Sequence, residues 1–432
     1  MIRSFALTVC IVACLIAGAP PGIHSAQTAA GHRLYDPNPQ HLWNRVHDTF
    51  HVRVAADGSE YGLDGVDPLL WSETRYLLTG DSHPRALALL DEFLASNAES
   101  LVREPLKRAV FQNDLWAIFE WLAKMSQGDR QRRMALEQRL ARMIRRVALT
   151  RTEIEALPDT YTMAVRSRAL VTPADPSQQR PSFPHDLFNP SGPWVSVGST
   201  VPMVPQHAGE LAGSAFIVRW SVPGGSSATI GYLRKLWAFP EPYISDDAFQ
   251  WSRDGELRVK PNPALPAVPD GTRIALIRKM LLIDVTGAIV PSNIVQSIQI
   301  RAFPGRQAFS EFRMNRTDLF HGTFGLRRVG ADDRDFITFS SQGTDPFEAP
   351  GLHLPLRPGR VLEGCTNCHQ IEFRPAIETV LSLPQMVRPS TLADPQHERW
   401  ARYNTPEMIA AEAKHRSAEW AVLTTLWQTQ PR

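Results

Sequence analysis

Residues 272–284 read TRIALIRKMLLID, a run rich in apolar and β-branched side chains that predicts a strand. Runs of the same character lie on both sides of it: Ser214 to Val222 and Ala228 to Trp237 upstream, Ile294 to Phe303 and Phe336 to Ser340 downstream. Between the first two, VPGGSS (222–227) has the composition of a hairpin turn. Together these runs predict an antiparallel β-rich domain over 194–343.

Toward the N-terminus the hydrophobic period changes. From about Gln40 to Arg168, Ala86, Leu87, Leu90 and Leu94 share one helical face, and Leu106, Val110, Leu115, Ile118, Phe119 and Leu122 share another. A helical domain is expected over 32–168, with the aromatic cluster Trp116, Phe119 and Trp121 in its core. The two units are separated by a linker at 169–193, where TPADPSQQRPSFPHDLFNPSGP (172–193) has neither period. The last segment, 344–432, is Pro-rich at first and ends in one amphipathic helix. Thr405 is its expected N-cap and Pro406 its first residue, with Ile409, Ala413, Trp420, Leu423 and Trp427 as its buried stripe. The expected fold class is therefore α+β: a helical domain, a β-rich middle domain and a C-terminal segment closed by a helix.

The first residues, MIRSFALTVCIVACLIAGAPPGIHSAQTAAG, place Arg3 before an apolar run from Phe5 to Ala19 that Pro20-Pro21 ends. That layout predicts a secretory signal, assigned to 1–26 with cleavage after Ala26 or Ala30, and a mature chain that is exported to the periplasm or cell envelope. A run of about fifteen apolar residues is too short to span a bilayer, and no later stretch reaches the roughly twenty required, so no transmembrane segment is expected in the mature chain. Ile11-Val12-Ala13-Cys14 resembles a lipobox, which would put a lipid anchor on Cys14; the apolar run continuing through Leu15-Ile16-Ala17 favours an ordinary signal core. Loss of the signal removes Cys10 and Cys14, leaving Cys365 and Cys368, so a disulfide-stapled framework is excluded. The 432 residues are 43% hydrophobic and 21% charged, enough apolar material for ordinary cores. Lys and Arg number 46 against 44 Asp and Glu, so nucleic acid is not an implied partner.

The remaining cysteines lie in GCTNCHQ (364–370), where Cys365-Thr366-Asn367-Cys368-His369 has the C-x-x-C-H form of covalent haem attachment. Two thiols on one tight turn can add to the two vinyl groups of one porphyrin, and the adjacent imidazole is then carried under the iron as axial ligand. A thioredoxin-type dithiol would call for a βαβ context, whereas Pro358, Gly359 and Gly364 precede Cys365. Structural zinc would need a second ligand pair, and only His353 is near in sequence.

GCTNCHQ resembles the haem-binding segment of c-type cytochromes. The resemblance implies one haem c, thioether bonds from Cys365 and Cys368, and proximal ligation by His369. The stretches QHLWNRVHDTFHVR, VDPLLWSETRYLL, EPLKRAVFQNDLWAIFEWLAK, DLFNPSGPWV and SAEWAVLTTLWQ look like a family of large exported bacterial single-haem proteins described only as cytochrome c domain-containing. That resemblance covers most of the mature chain and implies no specific reaction. The expected function is single-electron transfer to or from an unidentified redox partner protein. The alternatives are a haem enzyme or small-ligand-binding protein with an open distal site, and an interaction protein with a structural haem; no distal acid–base pair marks the first.

For the sixth iron position the downstream candidates are Met386, His397, Met408 and His415. Met386 is the first choice, because LPQMVRP (383–389) holds it in a loop stiffened by Pro384 and Pro389. Asp332, Asp333 and Asp335 lack the donor ladder of a calcium loop, and His185, Asp186 and His207 have no partner motif. DRQRRMALEQRLARMIRRVALTR (129–151) carries eight arginines opposite Leu136, Leu140, Met143, Ile144 and Val147. It reads as the solvated face of a core-packed helix, with docking of an acidic partner as the functional alternative.

Overall fold

The computed structural model describes residues 32–54, 60–64, 76–125, 128–170, 182–197, 213–241, 243–245, 259–303, 309–330, 337–338, 359–360 and 406–429. The architecture is α+β, helices packed with an antiparallel sheet.

The helices come first: α1 Leu42–His51, α2 Ser82–Ala95, α3 Pro105–Lys124, α4 Arg130–Arg146, α5 Arg151–Glu155 and α6 Thr160–Ser167. Side-chain caps mark several starts. Asp129 accepts from the amides of Gln131 and Arg132, and Thr150 with Glu153 forms a capping box on α5. The expected apolar faces are buried, including Leu136, Leu140, Met143, Ile144 and Val147 on α4. Along α3 nearly every residue from Ala109 to Glu120 is buried whatever its direction, so this helix runs through the interior.

The main sheet is formed by β3 (Val195–Val197), β4 (Ser214–Ser221), β7 (Arg273–Ile283), β8 (Ile289–Ala302), β9 (Phe309–Met314) and β10 (Leu326–Arg328), in the order β10-β9-β8-β7-β4-β3 with every pair antiparallel. Small pairs join β1 (Arg53–Val54) to β2 (Glu60–Tyr61), β5 (Tyr243–Ser245) to β6 (Val259–Pro261), and β11 (Ile337–Thr338) to β12 (Gly359–Arg360). The run at 272–284 is the central strand β7. Its hairpin to β8 is set by Asp284, whose Oδ1 accepts from the amides of Thr286 and Ala288, and by Gly287 at φ +88°.

One expected strand is a helix. Residues Gly225–Trp237 form α7, because the buried positions Thr229, Tyr232, Leu233 and Leu236 recur at the helical period rather than alternating. VPGGSS is accordingly a strand-to-helix junction: Gly224 takes φ +99°, and the Thr229 hydroxyl accepts from the Val222 amide and donates to the Gly225 carbonyl. The partners of β4 are instead β3 and β7. Following α8 (Arg316–Phe320), the expected single terminal helix is two, α9 (Pro406–His415) and α10 (Ala418–Thr429), broken at Arg416-Ser417. Ala413 is exposed, while Ala410, Ala411, Trp420 and Leu423 are buried. Thr405 lies outside the described residues.

Over 182–193 the connector is packed: Phe183 and Leu187 are buried with Trp194 against Ile217, Ile277 and Phe312 of the sheet. Helices and sheet also share the largest core cluster, which joins Trp43, Phe93, Phe111 and Trp116 to Ala215, Leu281, Ile283 and Ile289 and to Trp420 and Leu423. No helix among the described residues is long and apolar enough to cross a membrane.

The joint between α3 and β7 is polar. Strand β4 pairs with β7 only as far as Met280, and beyond it β7 needs other partners for its outer edge. The Gln112 amide accepts from the Ile283 amide at 2.9 Å and donates to its carbonyl at 2.8 Å. Asn113 donates to the carbonyls of Gly213 and Leu281. Gln112→Leu should strand the Ile283 amide and carbonyl in the interior and cost about 2–6 kcal/mol, at about 1–3 per orphaned group. Urea denaturation measures this, and a loss below about 1 kcal/mol would show that the amide is not the partner the edge depends on.

Candidate functional site

The residues expected to hold haem, Cys365, Cys368 and His369, lie outside the described residues, as do Met386, His397, His207 and the three aspartates at 332, 333 and 335. What the structure describes is the two places from which that segment departs. On the upstream side, β12 pairs Gly359 with Thr338 and Arg360 with Ile337. On the downstream side α9 lies against β4 and β8. Its Glu407 accepts from Lys279 Nζ at 3.0 Å, and its Lys414 pairs with Glu120, a carboxylate on α3 that is only 2% exposed. Trp420 packs on Trp116 with ring centroids 6.0 Å apart, and Trp427 Nε1 donates to the Ala141 carbonyl at 2.7 Å. Two of the alternative iron ligands are seen on α9: Met408 is exposed, and His415 lies edge-on against Trp420 at 5.0 Å.

Glu407 opens onto a polar cavity of about 350 Å³ between α6, the connector, β4, β7 and β8. Phe188 forms an aromatic wall, with the Arg219 guanidinium 5.0 Å and the Lys279 ammonium 5.3 Å from its centroid. Arg219 donates to the Leu187 carbonyl at 2.5 Å, and burial, opposed by the charges of Glu407 and Tyr161, lowers its pKa. Tyr161 donates to the Pro184 carbonyl and accepts from the Leu187 amide; burial above all pushes its phenol well up. Asp159 is occupied in capping α6 through Thr162. These groups hold the connector and α9 to the sheet, so the cavity is first a polar joint at the downstream foot of the 361–405 segment. Asp186 belongs to the same framework, accepting from Trp194 Nε1 at 2.8 Å.

The arginines of α4 are largely engaged within the chain. Arg132 donates to the Leu78 carbonyl, Arg133 to that of Met125, Arg145 to that of Trp427 and Arg146 to that of Leu94, while Arg139 forms a two-point pair with Asp91. They tie α4 to its neighbours, and their geometry offers no argument for docking an acidic partner.

Sequence reasoning missed a polar cluster at α1. His32 turns both ring nitrogens to carboxylates, Nδ1 to Asp48 at 3.1 Å and Nε2 to Glu60 at 3.0 Å, and its backbone amide also donates to Asp48. The Asp48 hydrogen bond, working against burial, raises its pKa to about 9. Asp48 in turn is held well below the carboxylate range, the bonds from His32 and His47 outweighing the upward push of its burial. Nearby, Arg316 and Asp114 form a buried two-point ion pair. The H-x-x-x-H spacing of His47 and His51 in the sequence was the available signal for this cluster.

No family model, no curated protein and no solved structure matches the chain.

The His32 clamp has a defined pH dependence. Its folded pKa is raised, so its contribution to stability is complete below about 6.5, the unfolded value, and is lost as pH rises through about 9. The difference in thermal midpoint between the wild-type chain and His32→Gln should therefore close between about pH 6 and pH 10. A difference that stays constant over that range would rule out the charged clamp.

Proposed function

We propose that the chain is an exported, c-type cytochrome-like protein that holds one haem c and passes single electrons to or from a partner protein. The observation that carries this reading is the donor set Cys365-x-x-Cys368-His369, placed in a chain whose other cysteines are Cys10 and Cys14. That set fits the group: two thiols spaced for one porphyrin and an imidazole beside the second. When bound, haem supplies a one-electron couple whose potential its axial ligands and surroundings tune.

The role of the chain is to hold and orient. Cys365 and Cys368 would attach the group covalently and His369 would ligate its iron, with Met386 as the candidate second ligand. The downstream end of the segment supports a fixed attachment, since α9 is pinned by Lys279–Glu407 and Lys414–Glu120.

Two experiments test the proposal. Produced with export and a haem-attachment system, the protein should keep haem peroxidase staining after denaturing electrophoresis, because thioethers survive where coordination does not. Changing Cys365 and Cys368 together to Ala should abolish the stain, and full staining of that variant would sink covalent attachment. The second experiment reads the iron's sixth position by optical spectroscopy. A low-spin ferrous spectrum unmoved by carbon monoxide, which becomes ligand-sensitive in Met386→Ala, is expected for the carrier. Rapid carbon monoxide binding by the wild-type protein would mean an open site and a ligand-binding or catalytic haem.

A further inference from the structure

His47 and His51 stand four apart on α1 and face inward, 1% and 3% exposed, with ring centroids 5.2 Å apart. Buried polar atoms ordinarily have partners. Here His47 Nε2 and His51 Nδ1 have no hydrogen-bond partner among the described residues. Two histidines at this helical spacing can chelate a metal. However, no group of three or more His, Cys, Asp or Glu among the described residues could hold one, and the Arg316 cation lies close enough to act on His51. The bare Nδ1 of the buried His51 can take a proton.

We propose that His51 makes α1 an acid-released element, in which protonation of its buried imidazole beside Arg316 undocks α1 while the sheet stays folded. The surroundings give the protonated form little support. His51 meets His47 on its own helix and Arg316 from α8. Tyr35 packs on His47 at 5.9 Å, and Asp114 of α3 is already committed to Arg316. Asp48 offers His47 a carboxylate 3.5 Å away, but its oxygens also serve His32. Burial, the neighbouring imidazole and Arg316 together hold the His51 pKa well below its ordinary value.

The sign follows from linkage. A histidine whose folded pKa is depressed binds fewer protons docked than undocked, so docking weakens as pH falls below about 6.5. The docked population drops by up to tenfold per pH unit while the His51 imidazole must stay neutral. His32 does not oppose this between pH 7 and 5, because its pKa of about 9 keeps it protonated throughout. His83, the other buried histidine among the described residues, lies on α2 and bonds the Leu77 carbonyl. The joint at β7 contains none of these groups: Gln112 and Asn113 hold it, and neither titrates.

Hydrogen exchange read by mass spectrometry on the full-length protein, corrected for intrinsic exchange rate, tests the proposal directly. Protection of peptides covering 42–51 should fall at least tenfold from pH 7 to pH 5, while that of 273–283 stays constant. His51→Phe should retain α1 protection at pH 5, and His47→Gln should retain part of it. Protection of α1 that does not change with pH would overturn the proposal. So would loss from α1 and β7 together, which is global acid unfolding, or an unchanged fall in both variants. The comparison of two regions within the wild-type protein stands even if a variant fails to fold.

Discussion

The outer edge of β7 beyond Met280 is the constraint on which the fold depends. A strand that continues past the end of its neighbour inside a core exposes amide and carbonyl groups that water cannot reach, and each must find a partner. Gly213 supplies one carbonyl, accepting from the Leu281 amide at 2.8 Å. The rest comes from α3, where Gln112 pairs with Ile283 as a neighbouring strand would, donor and acceptor at once. Asn113 reaches Gly213 and Leu281 and is itself oriented by Gln296 of β8. A helix carrying only apolar residues at these positions could cover the strand but not satisfy it, which is why α3 is polar where it is most deeply buried.

The same joint decides where the C-terminal helices go. In β7 the residues before the irregularity near Lys279 pack toward α6 and α7, and those after it toward α1–α5, α8 and the C-terminal helices. Lys279 lies at that irregularity and turns its ammonium toward Glu407 of α9. Lys414 then meets Glu120, about two turns along α3 from the amides that hold β7.

The β7 strand, the buried stripe of α4 and the α+β class were legible, because period and composition record which side chains meet the core. The α7 helix was not. Its Ile, Tyr, Leu and Trp content resembles a strand, and VPGGSS suits either a hairpin or a helix entry; only the buried set at 229, 232, 233 and 236 distinguishes them. The break at Arg416-Ser417 was hidden by an apolar stripe that continues in register across it. At the functional level, the proposed haem donors are read wholly from sequence, since C-x-x-C-H is a local motif whose recognition needs no tertiary information. The α1 cluster is the converse case. H-x-x-x-H occurs on exposed helices as readily as on buried ones, and what makes the pair chemically distinctive is its burial beside Arg316, a residue more than 260 positions away in the sequence.

Charge is distributed by the same logic. An ion pair removed from water recovers little of its desolvation cost, so pairs such as Arg316–Asp114 and Lys414–Glu120 are weak evidence of stability. What they add is a discrete placement. Apolar contact alone would let α9 or α8 slide along the sheet with little change in buried area, whereas a buried carboxylate accepts a cation at one position and penalises the rest. On α4 the long arginine side chains do this repeatedly, reaching carbonyls at Leu78, Leu94, Met125 and Trp427 that lie at the ends of neighbouring elements. Each such bond satisfies a helix-terminal or loop carbonyl and fixes one register at once. The charges that in sequence suggested an outward-facing surface are thus part of the device that sets how the helices pack.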